Sequence, residues 1–171
     1  LIRRLERAAL PEALEDLTGL LRDCVQAGAS VGFVLPFPVS EARAYWADQV
    51  FPSVGRGVEL FAACYGGRVV GTVHLAMAAM PNQPHRADVA KLLVHPDARR
   101  QGLGRALMQA LEARARELGK TLLVLDTRSG DPSQALYQGL GFQVAGEIPN
   151  YCRNTFEELY EPTTYLYKVL A

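Results

Sequence analysis

The chain has 171 residues, enough for one hydrophobic core and short for two, so a single domain spanning residues 1–171 is expected. Its 49% hydrophobic and 21% charged content is that of a globular protein and excludes an extended, disordered chain. Lys plus Arg (18) equals Asp plus Glu (18), so the basic excess that nucleic acids and anionic membranes select is missing, and neither partner is expected.

Cys24, Cys64 and Cys152 are odd in number, far apart and outside any CxxC or Cys/His cluster. Free thiols in a reducing cytoplasm are the expectation, with no disulfide framework and no metal site. No apolar stretch reaches the ~20 residues of a membrane helix, and no segment resembles a secretory signal.

In chain order, Leu1–Leu5 reads as a short first strand. Pro11 opens a helical pattern carried by Leu14, Leu17, Leu20, Leu21 and Val25 and stopped near Gly28. The loop GASVGFVLPFPVS is too apolar to be a mere connector and is expected to line something; its Phe33, with Trp46 beyond it, is a candidate substrate wall. Ser40 and Glu41 start a second helix. Val58–Tyr65 and Arg68–Met77 are β-prone runs joined by Gly66-Gly67, a hairpin signal. After the loop MPNQPHR comes a third strand, Ala87–Val94, ended by Pro96. An amphipathic helix then runs from Gly102–Gly104 to Gly119, burying Leu103, Leu107, Leu111 and Leu118. Thr121–Leu125 reads as a buried parallel strand. A short helix runs from Pro132 to Gly139–Gly141, and Phe142–Ala145 and Thr164–Val169 close the fold as strands. The order is that of a mixed α/β domain.

The informative stretch is LLVHPDARRQGLGRALMQAL, residues 92–111. A strand, a basic turn and two glycines lead into a helix whose first N–H groups have no internal partners and whose dipole is positive at that end. Glycine lets a backbone approach an anion closely, so the turn reads as a pyrophosphate cradle, with Arg99, Arg100 and Arg105 adding charge of the right sign. A P-loop would need Gly-Lys-Ser/Thr where Gly104-Arg105-Ala106 stands. A dinucleotide fingerprint would need a third small residue where Leu107 stands.

The segment Arg99-Arg100-Gln101-Gly102-Leu103-Gly104 resembles the CoA-binding signature of the GNAT superfamily of N-acetyltransferases, Arg/Gln-x-x-Gly-x-Gly/Ala. Tyr137 ahead of Gly141-Phe142 in ALYQGLGF agrees with that family's second helix, although an Asn usual at the start of that helix is missing around Gly130–Pro132. The resemblance covers essentially the whole chain. It implies one mixed, mostly antiparallel sheet of about six to seven strands, flanked by about four helices and splayed at the CoA site. It also implies acetyl-CoA as cosubstrate, no metal, and a monomer or homodimer. GASVGF, HRADVAKLLV, LDT and EIPNYC are further similar to tabtoxin-resistance-type acetyltransferases, which act on an amino-acid toxin.

Under that resemblance Leu92, Leu93 and Val94 hold the pantetheine and polarise the thioester. Residues Arg99 through Arg105 hold the pyrophosphate, and Tyr137 protonates the departing thiolate. Asp88, sharing strand parity with Leu92 and Val94 unless a bulge intervenes, and Asp126, at the end of a buried strand, are base and amine anchor in an order left open. The competing reading of Asp88 is a pair with Arg86, and that of Asp126 is a helix cap. Asn82, His85 and Tyr151 sit in loops that could close on the substrate, while His74 and His95 read as structural. A primary amine, a polyamine, an aminoglycoside or a peptide N-terminus are the open acceptors. A non-catalytic acetyl-CoA sensor is the alternative of another class.

Overall fold

A computed structural model describes all of residues 1–171. Seven strands form one sheet in the order β1-β2-β3-β4-β5-β7-β6. They are β1 Ile2–Leu5, β2 Val58–Tyr65, β3 Arg68–Met77, β4 Arg86–Val94, β5 Leu122–Arg128, β6 Gln143–Arg153 and β7 Tyr160–Val169. Every neighbouring pair is antiparallel except β4 and β5. The helices are α1 Leu10–Gln26, α2 Val39–Ala44, α3 Leu103–Glu117 and α4 Pro132–Gly139. A π-helical turn, Tyr45–Val50, continues α2.

Strand alternation sends side chains to two cores, one on each face of the sheet. Leu17, Leu20 and Leu21 of α1 meet Trp46, Leu60 and Ala62 on one face. Leu107, Met108 and Leu111 of α3 meet Phe61, Val73, Leu75, Leu123 and Leu125 on the other. The Leu107 face of α3 is buried as its spacing predicts, but Leu118 is exposed because it caps the helix beyond the sheet. Gly71 lets α3 lie close: a Cβ there would sit 3.1 Å from the Leu93 carbonyl and 3.2 Å from Leu107.

Two departures from the sequence reading matter for the site. The first is the length of the closing hairpin, since residues 147–164 are largely strand rather than loop. β6 is an exposed edge strand with register shifts after Val144 and Ile148 and with Asn150 at φ 52°, so its alternation is broken and its sequence looks like loop. The second is a bulge in β4. Thr72 pairs with Leu93 and His74 with Ala90, and Lys91 has φ 53°. The extra residue reverses the strand's facing. Ala87 and Val89 point to the α3 core, whereas Leu93 joins the α1 core and Leu92 and Val94 turn to α3.

Candidate functional site

β4 and β5 pair only from Arg86–Leu122 to Asp88–Val124, then part. Into this fork opens a cavity of 970 Å³, large enough for a sizeable ligand. Its floor is the edge of β4 that β5 has left, including Leu92, Leu93 and Val94.

At one end lies the turn into α3. Arg100 has φ 61° and Gly102 φ 78°, a left-handed conformation that glycine takes without a Cβ penalty. Main-chain bonding stops at the Arg99 N–H and resumes at Ala106, whose N–H donates to the Gly102 carbonyl. The N–H groups of Arg100 through Arg105 are therefore available together at the positive end of a 15-residue helix. This is the donor set an anion of two phosphates requires, and Arg99, Arg100 and Arg105 border the same cavity. Gln101 does not line it. A Cβ on Gly104 would stand 3.2 Å from Leu136, so a bare residue there lets α3 and α4 meet. Arg99 also donates to the Val94 carbonyl at 3.1 Å, tying the turn to the strand.

Tyr137 reaches the cavity from α4, with its ring 5.9 Å from Phe142. Burial, reinforced by the charges of Asp126 and Asp131, pushes its phenol pKa well above the ordinary value, so the hydroxyl keeps its proton. Asp126 lines the cavity from β5, and its carboxylate accepts a hydrogen bond from Thr163 at 3.2 Å. It does not cap α4; Asp131 precedes that helix.

Asp88 stands at the last β4–β5 pair. Because of the bulge it shares a face with Leu93 and not with Leu92 and Val94, which reverses the parity expected from uninterrupted alternation. Arg86 donates to Asp88 at 2.6 Å, and the Asp88 side chain is 45% exposed.

The remaining candidates separate. Phe33 lies on the α1–α2 loop, 4.6 Å from Phe37 and 5.2 Å from Tyr45 between ring centroids. The Tyr151 and Tyr165 hydroxyls are 2.8 Å apart, and this hydrogen bond, ahead of burial, pushes the Tyr165 pKa up to about 12. Asn82 and His85 are not brought to the cavity. The His85 carbonyl accepts the N–H groups of Thr121 and Leu122 at the closed end of the fork, beyond the first β4–β5 pair.

Sequence reasoning passed over Lys91. The bulge carries its side chain to the cavity, where the ammonium donates to the Val31 carbonyl at 2.6 Å. It lies 5.9 Å from the Phe33 ring and 5.8 Å from the Tyr45 ring. Burial lowers its pKa, partly offset by Asp126 and Cys152. The GASVGF loop that places these groups is clasped by the β6–β7 turn. The Thr155 hydroxyl donates to the Ala29 carbonyl at 3.1 Å, and the Leu35 N–H donates to the Thr155 carbonyl at 3.0 Å.

The forked sheet and its turn define an acyl-CoA-dependent transferase, and residues 25–142 match the acetyltransferase (GNAT) family. The chain belongs to that family and is an N-acetyltransferase of the acyltransferase class. It is 34% identical over 117 residues to an uncharacterized N-acetyltransferase in the hisH-hisA intergenic region of Azospirillum brasilense, covering 67% of this chain and 68% of that protein. The [ribosomal protein bS18]-alanine N-acetyltransferase of Escherichia coli is 39% identical over 70 residues, 40% of this chain and 47% of that one. The L-amino acid N-acyltransferase MnaT of E. coli is 42% identical over 57 residues, a third (33%) of each chain. In fold it is similar to the yncA structure from Salmonella typhimurium, solved with its cofactor acetyl-CoA. The TM-score is 0.79 at 20% identity, with 100% of this chain and 94% of that chain covered.

Proposed function

We propose that this N-acetyltransferase moves the acetyl group of acetyl-CoA directly onto the primary amine of a small, amino-acid-like acceptor, of the kind tabtoxin-resistance-type enzymes modify. The observation that carries this reading is the joint lining of one cavity: the phosphate cradle, the Asp126 carboxylate and the first residues of the clasped GASVGF loop all border it. The partial similarity to MnaT supports it. The partial similarity to the ribosomal-protein enzyme favours a peptide N-terminus, but the β6–β7 turn ties down the GASVGF loop that borders the cavity, which suits a small molecule better than a chain.

An alkylamine of pKa ~10 is about 0.1% neutral at pH 7, a handicap of roughly 4 kcal/mol. Asp126, lining the cavity and free of a cationic partner within ion-pairing distance, takes that proton directly or through one water. Asp88, paired with Arg86 and outside the cavity lining, acts on the ammonium only through space. The neutral amine attacks the thioester carbonyl, whose oxygen is met by main-chain N–H groups at Leu92–Val94. The C–S bond then breaks as Tyr137, kept protonated, donates to the leaving sulfur. The second proton, shed by the acylated nitrogen, returns to the Tyr137 oxygen through water, leaving amide and free thiol, with the first proton on Asp126 passing to solvent.

Release of free thiol from acetyl-CoA, followed with amino acids, polyamines, aminoglycosides and an alanyl peptide, tests the proposal. Thiol release led by amino acids supports it; release led by the peptide or the polycations overturns the acceptor class.

A further inference from the structure

Lys91 poses a physical problem that the transfer reaction does not use. An ammonium has three donors and strongly favours water or a counter-ion. Here one donor goes to the Val31 carbonyl, and the charge otherwise rests near the faces of Phe33 and Tyr45. No carboxylate lies within ion-pairing distance of it, whereas Lys168, the other lysine drawn in from solvent, stands 2.7 Å from Glu112. The other cations at the cavity have tasks: Arg128 is 2.9 Å from Asp131, and the arginines of residues 99–105 border the cradle. A bulge with positive φ on a non-glycine residue is what brings this side chain to the acceptor end.

Resting on the amino-acid reading above, we propose that Lys91 is the anchor for the carboxylate of the acceptor. An amino acid would then be held as a zwitterion: carboxylate on the two spare donors of Lys91, ammonium toward Asp126. Asp126 already acts on Lys91 through space, so both charges of such an acceptor meet their complements in one cavity. The aromatic pair beside Lys91 keeps water from competing for those donors, which strengthens a charge-assisted hydrogen bond. This makes Lys91 a specificity-determining residue: it selects for a carboxylate next to the reacting amine and against neutral or cationic amines.

The test compares each amino acid with its carboxamide, which keeps the amine and loses the charge, in the wild type and in Lys91→Met. Methionine matches the length of the stem and can lie against the Phe33 and Tyr45 rings as the lysine does, so the melting temperature is expected to hold or rise. In the wild type kcat/KM should favour the acid. In the variant it should fall roughly 10- to 100-fold for the acid and stay within about threefold for the carboxamide, with acetyl-CoA affinity by calorimetry unchanged. Equal losses for both acceptors, or an undiminished preference for the acid in Lys91→Met, overturn the assignment while leaving the amino-acid reading intact. A wild type that acetylates carboxamides or peptides and no amino acid overturns both.

Discussion

The imidazole of His74 gives the fold a defined sensitivity to acid. It is 6% exposed, its ring centroid is 5.5 Å from that of Trp46, and its Nε2 has no hydrogen-bond partner. Burial first, and the nearby charge of Lys91 second, draw its pKa from 6.5 down to about 3. Between those two values the unfolded chain carries a proton on this ring that the folded chain lacks. Stability is therefore complete above the unfolded pKa and is lost as pH falls through that window. At pH 5 the solution lies about 1.5 units below the unfolded pKa, and at about 1.4 kcal/mol per unit the loss is about 2 kcal/mol. Against a total stability of about 5–15 kcal/mol, this is large enough to read from urea unfolding at pH 7.5 and pH 5. His74→Leu removes both the titration and the unpaired Nε2, so the variant should match or exceed the wild type at pH 7.5 and lose about 2 kcal/mol less on acidification. Equal losses in the two proteins would refute the reasoning.

Three further outcomes concern the transfer site. Gly102→Glu should weaken acetyl-CoA binding at least 100-fold by calorimetry, since it puts a carboxylate in the cradle and a Cβ at φ 78°; the left-handed strain itself should cost only about 1–2 kcal/mol in a melt. Asp126→Asn should cut kcat by about 10²–10⁴ with acetyl-CoA affinity kept, whereas Asp88→Asn should mainly raise KM for the amine; the reverse pattern would exchange their roles. Tyr137→Phe should lower kcat without altering acetyl-CoA affinity, and an unchanged kcat under single-turnover conditions would remove it from the chemistry.

How far the sequence could be read depended on whether a local pattern survived into the structure. The α3 cradle was legible because glycine spacing, arginine placement and the leucine stripe all belong to one contiguous segment. The strands through β5 were legible as β-prone runs, with Gly66-Gly67 marking the β2–β3 turn and a continuous apolar run marking β5. Lys91 escaped notice because a bulge is a mismatch between two strands, and DVAKLLV alone carries no mark of the partner against which one residue is surplus. The same surplus turned Leu92 and Val94 away from the face of Asp88. β6 was cut short because an exposed edge strand need not alternate. Asn82 and His85 looked like lid residues from loop position alone, and only the place where β4 and β5 divide shows that they stand at the closed end.

The clasp of Thr155 on Ala29 joins residues 126 positions apart. Closing so long a loop is among the slowest and entropically costliest steps of folding, because the chain must be ordered before the contact rewards it. Leu166 of β7 belongs to the core on which α3 packs, so the hairpin that carries the clasp also completes the support beneath the donor turn. Substitutions that loosen the clasp should accordingly uncouple donor hydrolysis from transfer, yielding an enzyme that spends its thioester on water.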